Sequence, residues 1–254
     1  NGKTVWRTAY PAPFELVAAA AKHGPGPKST PTFANGRIFT YGMSGILTAF
    51  DAATGRQVWQ KSASAKQPMY HTAMSPLADG DRIVMHVGGP GDTAFAAFDA
   101  ATGTERWRWT EDSPAYGSPI AADLGGARQI IAFTNQFMVG LAASNGELLW
   151  KRPFTTPSNT TSQTPIVYKD LVIQAGRENG FTAFRVSRTG QTWTTTNVWK
   201  TDEASVLLSN AVVLDGVLYG LSHLNSGQYF ALDLDAGKVL WKGPPRQEIG
   251  RAHV

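Results

Sequence analysis

The chain has 254 residues, with 23 Lys and Arg, 19 Asp and Glu, 26 Gly, 15 Pro, 8 Trp and no Cys, and a formal net charge of +4. The lack of Cys excludes a disulfide framework, a thiolate nucleophile and any Cys-ligated zinc or iron–sulfur site, and 42% hydrophobic against 17% charged residues argues against disorder. No apolar run reaches the ~18 residues of a transmembrane helix, and the basic residues stand singly instead of forming one face, so no nucleic-acid partner is expected.

In chain order, Asn1-Gly2 to Trp6 reads as the tail of a repeat unit. Pro13–Ala21 is the one helix expected, with Pro13 at its start, four alanines within it and Gly24 past its end. Lys22–Ser29, which contains Gly-Pro-Gly-Pro, is a loop leading into the first innermost strand.

Repeats organise the remainder. The run from Phe50-Asp51 through Thr54-Gly55 to Trp59 returns as Phe98-Asp99 through Thr102-Gly103 to Trp107. It returns again as Leu141 through Asn145-Gly146 to Trp150, and as Leu232-Asp233 through Ala236-Gly237 to Trp241. Arg185 through Thr189-Gly190 is a looser copy, with its Trp displaced to Trp199. The glycines at 55, 103, 146, 190 and 237 recur every 43 to 48 residues. A second marker keeps the same phase: Thr30-Pro31, Ser75-Pro76, Ser118-Pro119 and Thr164-Pro165 precede short apolar stretches, and Ser209-Asn210 takes the fifth place.

Each unit reads as four short strands, in the last unit Ala211–Leu214, Val217–Leu221, Tyr229–Asp233 and Lys238–Trp241. Asn35-Gly36, Gly80-Asp81 and Asp215-Gly216 are hairpin turns between the first two strands. A unit of this length with four antiparallel strands has the period of a propeller blade. The fold class is therefore all-β: about five four-stranded blades plus one partial blade and one short inserted helix.

The repeated residues have structural roles. Gly55, Gly103, Gly146 and Gly237 supply φ > 0 in the turn between the third and fourth strands. Asp51, Asp99 and Asp233 accept backbone N–H bonds there, and Trp59, Trp107, Trp150 and Trp241 are expected to be buried in the wedge between neighbouring blades. Gly88-Gly89-Pro90-Gly91 is read as a long hairpin loop, not a phosphate cradle, because no helix follows it. His23, His71, His86 and His223 show no i,i+2 or i,i+4 spacing, so no metal site is expected. No Gly-x-Ser-x-Gly elbow or P-loop is present, and no catalytic residue is assigned.

The loops entering the innermost strands ring one mouth of a propeller channel. They offer Lys28 and Ser29, Tyr70 and His71, Tyr116, Asn159 and Gln163, then Ser205 and Asn210. These side chains suit hydrogen bonding to a polar ligand or a peptide. The last seven residues, Glu248–Val254, have as one valid reverse translation GAG ATC GGA AGA GCA CAC GTC, which resembles the start of a common sequencing adapter. They are set apart from a propeller domain spanning 1–247.

The Ala-x-Asp-x-x-Thr-Gly-x-x-x-Trp pattern with Ser/Thr-Pro opening each unit resembles the tryptophan-docking repeat of pyrroloquinoline-quinone-like β-propellers. That superfamily holds quinoprotein alcohol and glucose dehydrogenases, and also the non-enzymatic lipoprotein of the outer-membrane barrel assembly machine. Its members have seven or eight blades, so the resemblance implies that further blades are missing from this chain. It implies a periplasmic or secreted bacterial protein acting as a binding and interaction scaffold, with a protein or small polar ligand as partner and no cofactor assigned. The alternative it implies is a fragment of a quinone-dependent dehydrogenase for alcohols or sugars. There calcium, held by Glu, Asn and Asp, would sit beside pyrroloquinoline quinone. No such set maps onto this sequence.

Overall fold

Alternating apolar positions broken by Gly and Asn turns give each repeat a half-buried strand pattern, and each repeat folds as four antiparallel strands in sequence order. The computed structural model describes residues 2–89, 91–113 and 115–246. Blade one comprises β1 (Thr32–Ala34), β2 (Arg37–Tyr41), β3 (Leu47–Asp51) and β4 (Gln57–Lys61). Blade two comprises β5 (Leu77–Asp79), β6 (Arg82–Gly89), β7 (Asp92–Asp99) and β8 (Glu105–Trp109). Blade three follows with β9 (Ile120–Leu124), β10 (Ala127–Phe133), β11 (Phe137–Ala142) and β12 (Leu148–Pro153). Blade four has β13 (Ile166–Tyr168), β14 (Leu171–Gly176), β15 (Gly180–Thr189) and β16 (Thr192–Thr201), and blade five β17 (Val212–Leu214), β18 (Val217–Ser222), β19 (Gln228–Asp233) and β20 (Lys238–Lys242). These sheets are the blades of a β-propeller fold.

The chain divides into two compact units. One holds blades one and two and the turn Ala143–Glu147; the other holds the strands of blades three, four and five. In the first, Phe39, Tyr41, Leu47 and Trp59 of blade one pack with Ile83, Met85 and Phe98 of blade two. In the second, Ile131, Phe133, Met138 and Trp150 pack with Val172 and Phe184, and Ile173 and Phe181 with Leu218 and Phe230.

One device recurs in every blade. The register between the third and fourth strands shifts by one residue, at Ala49/Phe50, Ala97/Phe98, Gly140/Leu141, Ala183/Phe184 and Ala231/Leu232. The extra residue is Val58, Arg106, Leu149, Val198 or Leu240, each time directly before the Trp. A bulge of this kind bends the strand and re-aims the side chain after it. Trp6, Trp59, Trp107 and Trp199 each lie on the turn of the following repeat. Their indole N–H groups donate to the carbonyls of Ala52, Ala100, Ala143 and Leu234, at 2.9, 3.1, 3.0 and 2.9 Å.

The turn glycine is the seat for that ring. A Cβ on Gly55, Gly103, Gly146 or Gly237 would stand 2.5–2.7 Å from the docked Trp, and all four have positive φ. The Asp ahead of the glycine ties the turn: Asp51 Oδ1 accepts from the Thr54 amide at 2.9 Å, Asp99 Oδ1 from Thr102 at 2.8 Å and Asp233 Oδ1 from Ala236 at 2.8 Å. A bond from Arg106, joined by the Thr102 amide and hydroxyl, holds the Asp99 carboxyl down at about 2.

Blade four departs from this scheme. β15 and β16 are ten residues each and pair out to Thr189 and Thr192, so Thr189-Gly190 leads into the tip, Gly190-Gln191, of a long hairpin. Nothing lies within 4 Å of a Cβ placed on Gly190. Trp150 instead donates to Gln129 Oε1 at 2.6 Å and meets Phe184 edge-on at 5.6 Å.

Three further expectations are corrected. The helix at Pro13–Ala21 is a six-residue 3-10 helix at Ala18–His23, with extended backbone at Val17. An isolated helix this short does not sustain itself in water, and Phe14, Leu16 and Val17 are exposed, with no face buried to hold one. The glycine run is no long loop: β6 runs through Gly88 and Gly89, which pair with Thr93 and Asp92. Trp241 is 52% exposed, although its register matches that of the buried Trp59, because among the described residues no following turn receives it. The expectation for Glu248–Val254 lies outside the described residues.

Trp59→Ala is expected to lower stability by roughly 3–5 kcal/mol in urea unfolding, and Gly103→Val by at least ~1–2 kcal/mol from the positive φ alone. His86 is buried and stacked on Phe95 at 4.2 Å, and burial pushes its imidazole down to about 3. The unfolded chain therefore takes up a proton near pH 6.5 that the folded chain refuses. Stability is complete above pH 6.5 and falls as pH drops toward 3; the urea midpoint of His86→Gln is expected to fall less steeply across that window. In blade five Val212, Leu214 and Leu240 are exposed at 66%, 61% and 58%. Light scattering is expected to report self-association of the chain, reduced by Val212→Lys with Leu240→Lys.

Candidate functional site

The loops leading into the first strands divide between the two units. In the first unit the structure brings Lys28 to Tyr70 and His71, with Ser29 next to Lys28 along the chain. Lys28 Nζ donates to the Tyr70 carbonyl at 2.6 Å, and burial draws its ammonium below the usual lysine range. His71 is 2% exposed, has φ +63°, and neither ring nitrogen has a hydrogen-bond partner. Burial, then the field of Lys28, holds its imidazole below the ordinary histidine value. Phe14 lies edge-on to the His71 ring, with centroids 6.0 Å apart. The Ser29 hydroxyl is buried without a partner.

The backbone around this group is pinned. The Thr30 amide donates to Ser75 Oγ at 2.9 Å and Thr32 Oγ1 to the Pro76 carbonyl at 2.6 Å, so the Ser-Pro marker of blade two clamps the first strand of blade one. Thr72 Oγ1 donates to the Gly42 carbonyl at 2.6 Å, and the His71 amide to Pro68 at 2.9 Å.

In the second unit the corresponding loops are bound to one another. The Thr164 amide donates to Asn210 Oδ1 at 2.9 Å, so Asn210 serves blade four as Ser75 serves blade one. Gln163 is buried and donates to the Leu207 carbonyl at 2.8 Å. The Tyr116 amide donates to Thr161 at 2.9 Å, and a Cβ on Gly117 would overlap the Gln163 carbonyl, so this approach of two backbones requires glycine. Asn159 ends the 3-10 helix Pro157–Asn159 with φ +50° and its side chain exposed. Ser205 is saturated: its hydroxyl donates to Gly176 at 3.0 Å and meets His223 Nε2 at 3.1 Å.

Two features were not singled out in the sequence. Phe14 falls in a stretch whose composition suggested a helix, and nothing there marks it as a cover for His71. Arg152 lies over Phe184 at 4.2 Å and donates to Thr195 Oγ1 at 3.0 Å and Asn197 Oδ1 at 2.6 Å. Its partners arrive only through the lengthened hairpin of blade four.

Among the described residues no three His, Asp or Glu side chains form a group able to hold a metal ion. Asp51, Asp99 and Asp233 are engaged with turn amides, and Asp170 and Asp235 with Arg185 and Lys169, so the described residues do not assemble the donors a quinone with its calcium needs. No helix among the described residues is long and apolar enough to cross a membrane.

A family model described as outer membrane protein assembly factor BamB matches residues 1–243. The chain is 27% identical over 233 residues to the outer membrane protein assembly factor BamB of Yersinia pestis, covering 87% of this chain and 56% of that protein. It is 29% identical over 232 residues to a polyvinylalcohol dehydrogenase of Sphingopyxis sp., covering 81% of this chain and 31% of that protein. The crystal structure of BamB from Moraxella catarrhalis superposes with a TM-score of 0.60 at 18% identity, over 85% of this chain and 61% of the other. The chain thus spans about half the length, 56%, of its relative from Yersinia pestis. With its bulged Trp strands seated on the glycine turns of successive blades, the chain belongs to the BamB family of pyrroloquinoline-quinone-like β-propellers.

Proposed function

We propose that this chain is a non-catalytic binding scaffold that acts in the periplasm and holds a protein partner in outer-membrane protein assembly, the process for which its relatives are named assembly factors. The observation that carries this reading is the match of the BamB family model across residues 1–243. The loops before the first strands support it. Asn210, Gln163, Ser75 and Ser205 hold backbone in place, which suits a rigid docking surface better than a reaction centre. Of the candidate residues in the second unit, Asn159 is exposed and Tyr116 half-buried, and these are the side chains offered to a protein partner.

The likeness to a polyvinylalcohol dehydrogenase keeps a second reading, a quinone-dependent dehydrogenase fragment oxidising alcohols. The donor set described above disfavours it.

Binding of the purified chain to a purified outer-membrane assembly complex, followed by interferometry, is expected to be saturable. Asn159→Lys and Tyr116→Ala are each expected to weaken it about tenfold, near 1.4 kcal/mol. No binding, together with saturable absorbance changes on adding pyrroloquinoline quinone and Ca²⁺ and dye-linked alcohol oxidation, would replace the scaffold by the enzyme.

A further inference from the structure

We propose that Lys28, Ser29 and His71 form a binding site for a carboxylate group, closed in this structure by the strap that carries Phe14. The inference does not depend on the scaffold reading, and it concerns the first unit alone.

Two costs meet at His71, beside a cation. Both ring nitrogens are buried without a partner and the backbone is left-handed at φ +63°, while the cationic Lys28 donates to the carbonyl of the preceding residue. A buried polar group left without a partner destabilises the fold, and a non-glycine residue at positive φ adds backbone strain. Packing alone would be served at less cost by an apolar residue on ordinary backbone. The Ser29 hydroxyl, buried and unpartnered one residue from Lys28, repeats the pattern.

A carboxylate answers the polar part of this arrangement, the ring nitrogens, the hydroxyl and the ammonium, while the backbone strain marks His71 as held in place. Its single negative charge answers the one ammonium of Lys28, and its two oxygens can accept from an imidazole N–H and a hydroxyl. A metal cation would be repelled by Lys28. A water molecule would fill the hydrogen bonds but leave the half-desolvated ammonium without a counter-charge. A doubly charged phosphate calls for more positive charge than one Lys supplies.

Access follows from the strap. Residues 2–17 form no helix or strand. The strap is fastened on one side by Tyr10, whose hydroxyl meets Thr40 Oγ1 at 3.3 Å and whose ring lies 5.9 Å from Phe50, and on the other by the fully buried Ala20. Between these anchors Phe14, Leu16 and Val17 are exposed at 38%, 41% and 42%. A segment with so little burial and no ladder of backbone bonds opens at small free-energy cost. Phe14, edge-on to His71, is the part that must move.

The test follows the His71 ring by ¹H–¹³C NMR in the full chain, its signal assigned by loss in His71→Gln. The probes are acetate, a short peptide with a free C-terminal carboxylate, the amidated form of that peptide, and inorganic phosphate. Saturable shifts are expected with acetate, with the free-carboxylate peptide, or with both, and none with the amide. Response to acetate identifies a small organic acid as a sufficient ligand. Response to the peptide alone identifies a peptide terminus. Lys28→Met is expected to weaken binding at least about tenfold, while Lys28→Arg, which keeps the charge, restores it and shows that the Met variant did not simply misfold. Phe14→Ala is expected to tighten the apparent affinity, because the open form is then populated without lifting the ring. No saturable shift with either carboxylate, an undiminished response in Lys28→Met, or equal saturation by phosphate would overturn the proposal.

Discussion

The seating of a bulged Trp on the glycine turn of the next repeat is the interaction on which the rest of the structure depends. It joins three requirements in one contact. The bulge before the Trp aims the ring, the glycine leaves room for it, and a backbone carbonyl takes the indole N–H. Within each unit the blades bury apolar faces against one another, and Trp59 and Trp199, docked on the turn of the following repeat, help fix where they meet. Nearest-neighbour coupling of this kind is how repeat proteins acquire stability. The Asp that ties the turn acts through the same contact, since a turn held by Asp99 presents the Ala100 carbonyl to Trp59 at a fixed place.

Where the coupling is absent, polar chemistry takes its place. Blade four has no docking turn at Gly190, and Trp150 turns to Gln129, a fully buried amide that also donates to the Leu124 carbonyl at 2.7 Å. Arg152 crosses to Thr195 and Asn197 on the lengthened hairpin, with its guanidinium over Phe184. That hairpin also sends Trp193 back over the Gly125 turn. Burial draws the Arg152 guanidinium below its usual range, the mark of a cation held by neutral oxygens and an aromatic face. Beside the apolar packing of Trp150 and Phe133 with Phe184 and Val172, this join carries hydrogen bonds between side chains in place of a Trp seated on a glycine turn.

The same economy governs the loops before the first strands. Ser75 and Asn210, one a hydroxyl and the other an amide, each accept the backbone N–H of the preceding repeat. Polar residues gathered at one end of the blades are therefore largely occupied in holding blades to each other. Ser29 and His71 stand apart because their polar side-chain atoms are buried without partners, beside a Lys28 ammonium bound to the Tyr70 carbonyl. That contrast, more than the residue types, separates a structural latch from a site.

The sequence by itself determined the five units, their four strands, the glycine turns and even the displaced Trp199, because each of these is written locally: alternation, a turn residue, a fixed period. The hairpin turns at Asn35-Gly36 and Asp215-Gly216, with positive φ at all four residues, were legible for the same reason. Only the tertiary structure decided the rest. The bulge before each Trp leaves no residue signature, since Val58, Arg106, Leu149, Val198 and Leu240 share no chemistry; it is set by strand pairing. The stretch around Phe14 has helical composition but no buried face to hold a helix, so packing overrode propensity. The partners of Trp150, the exposure of Trp241 and the unpartnered nitrogens of His71 are likewise facts about neighbours distant in the chain. Long-range contacts, not local preference, settle which polar atoms find partners and which do not.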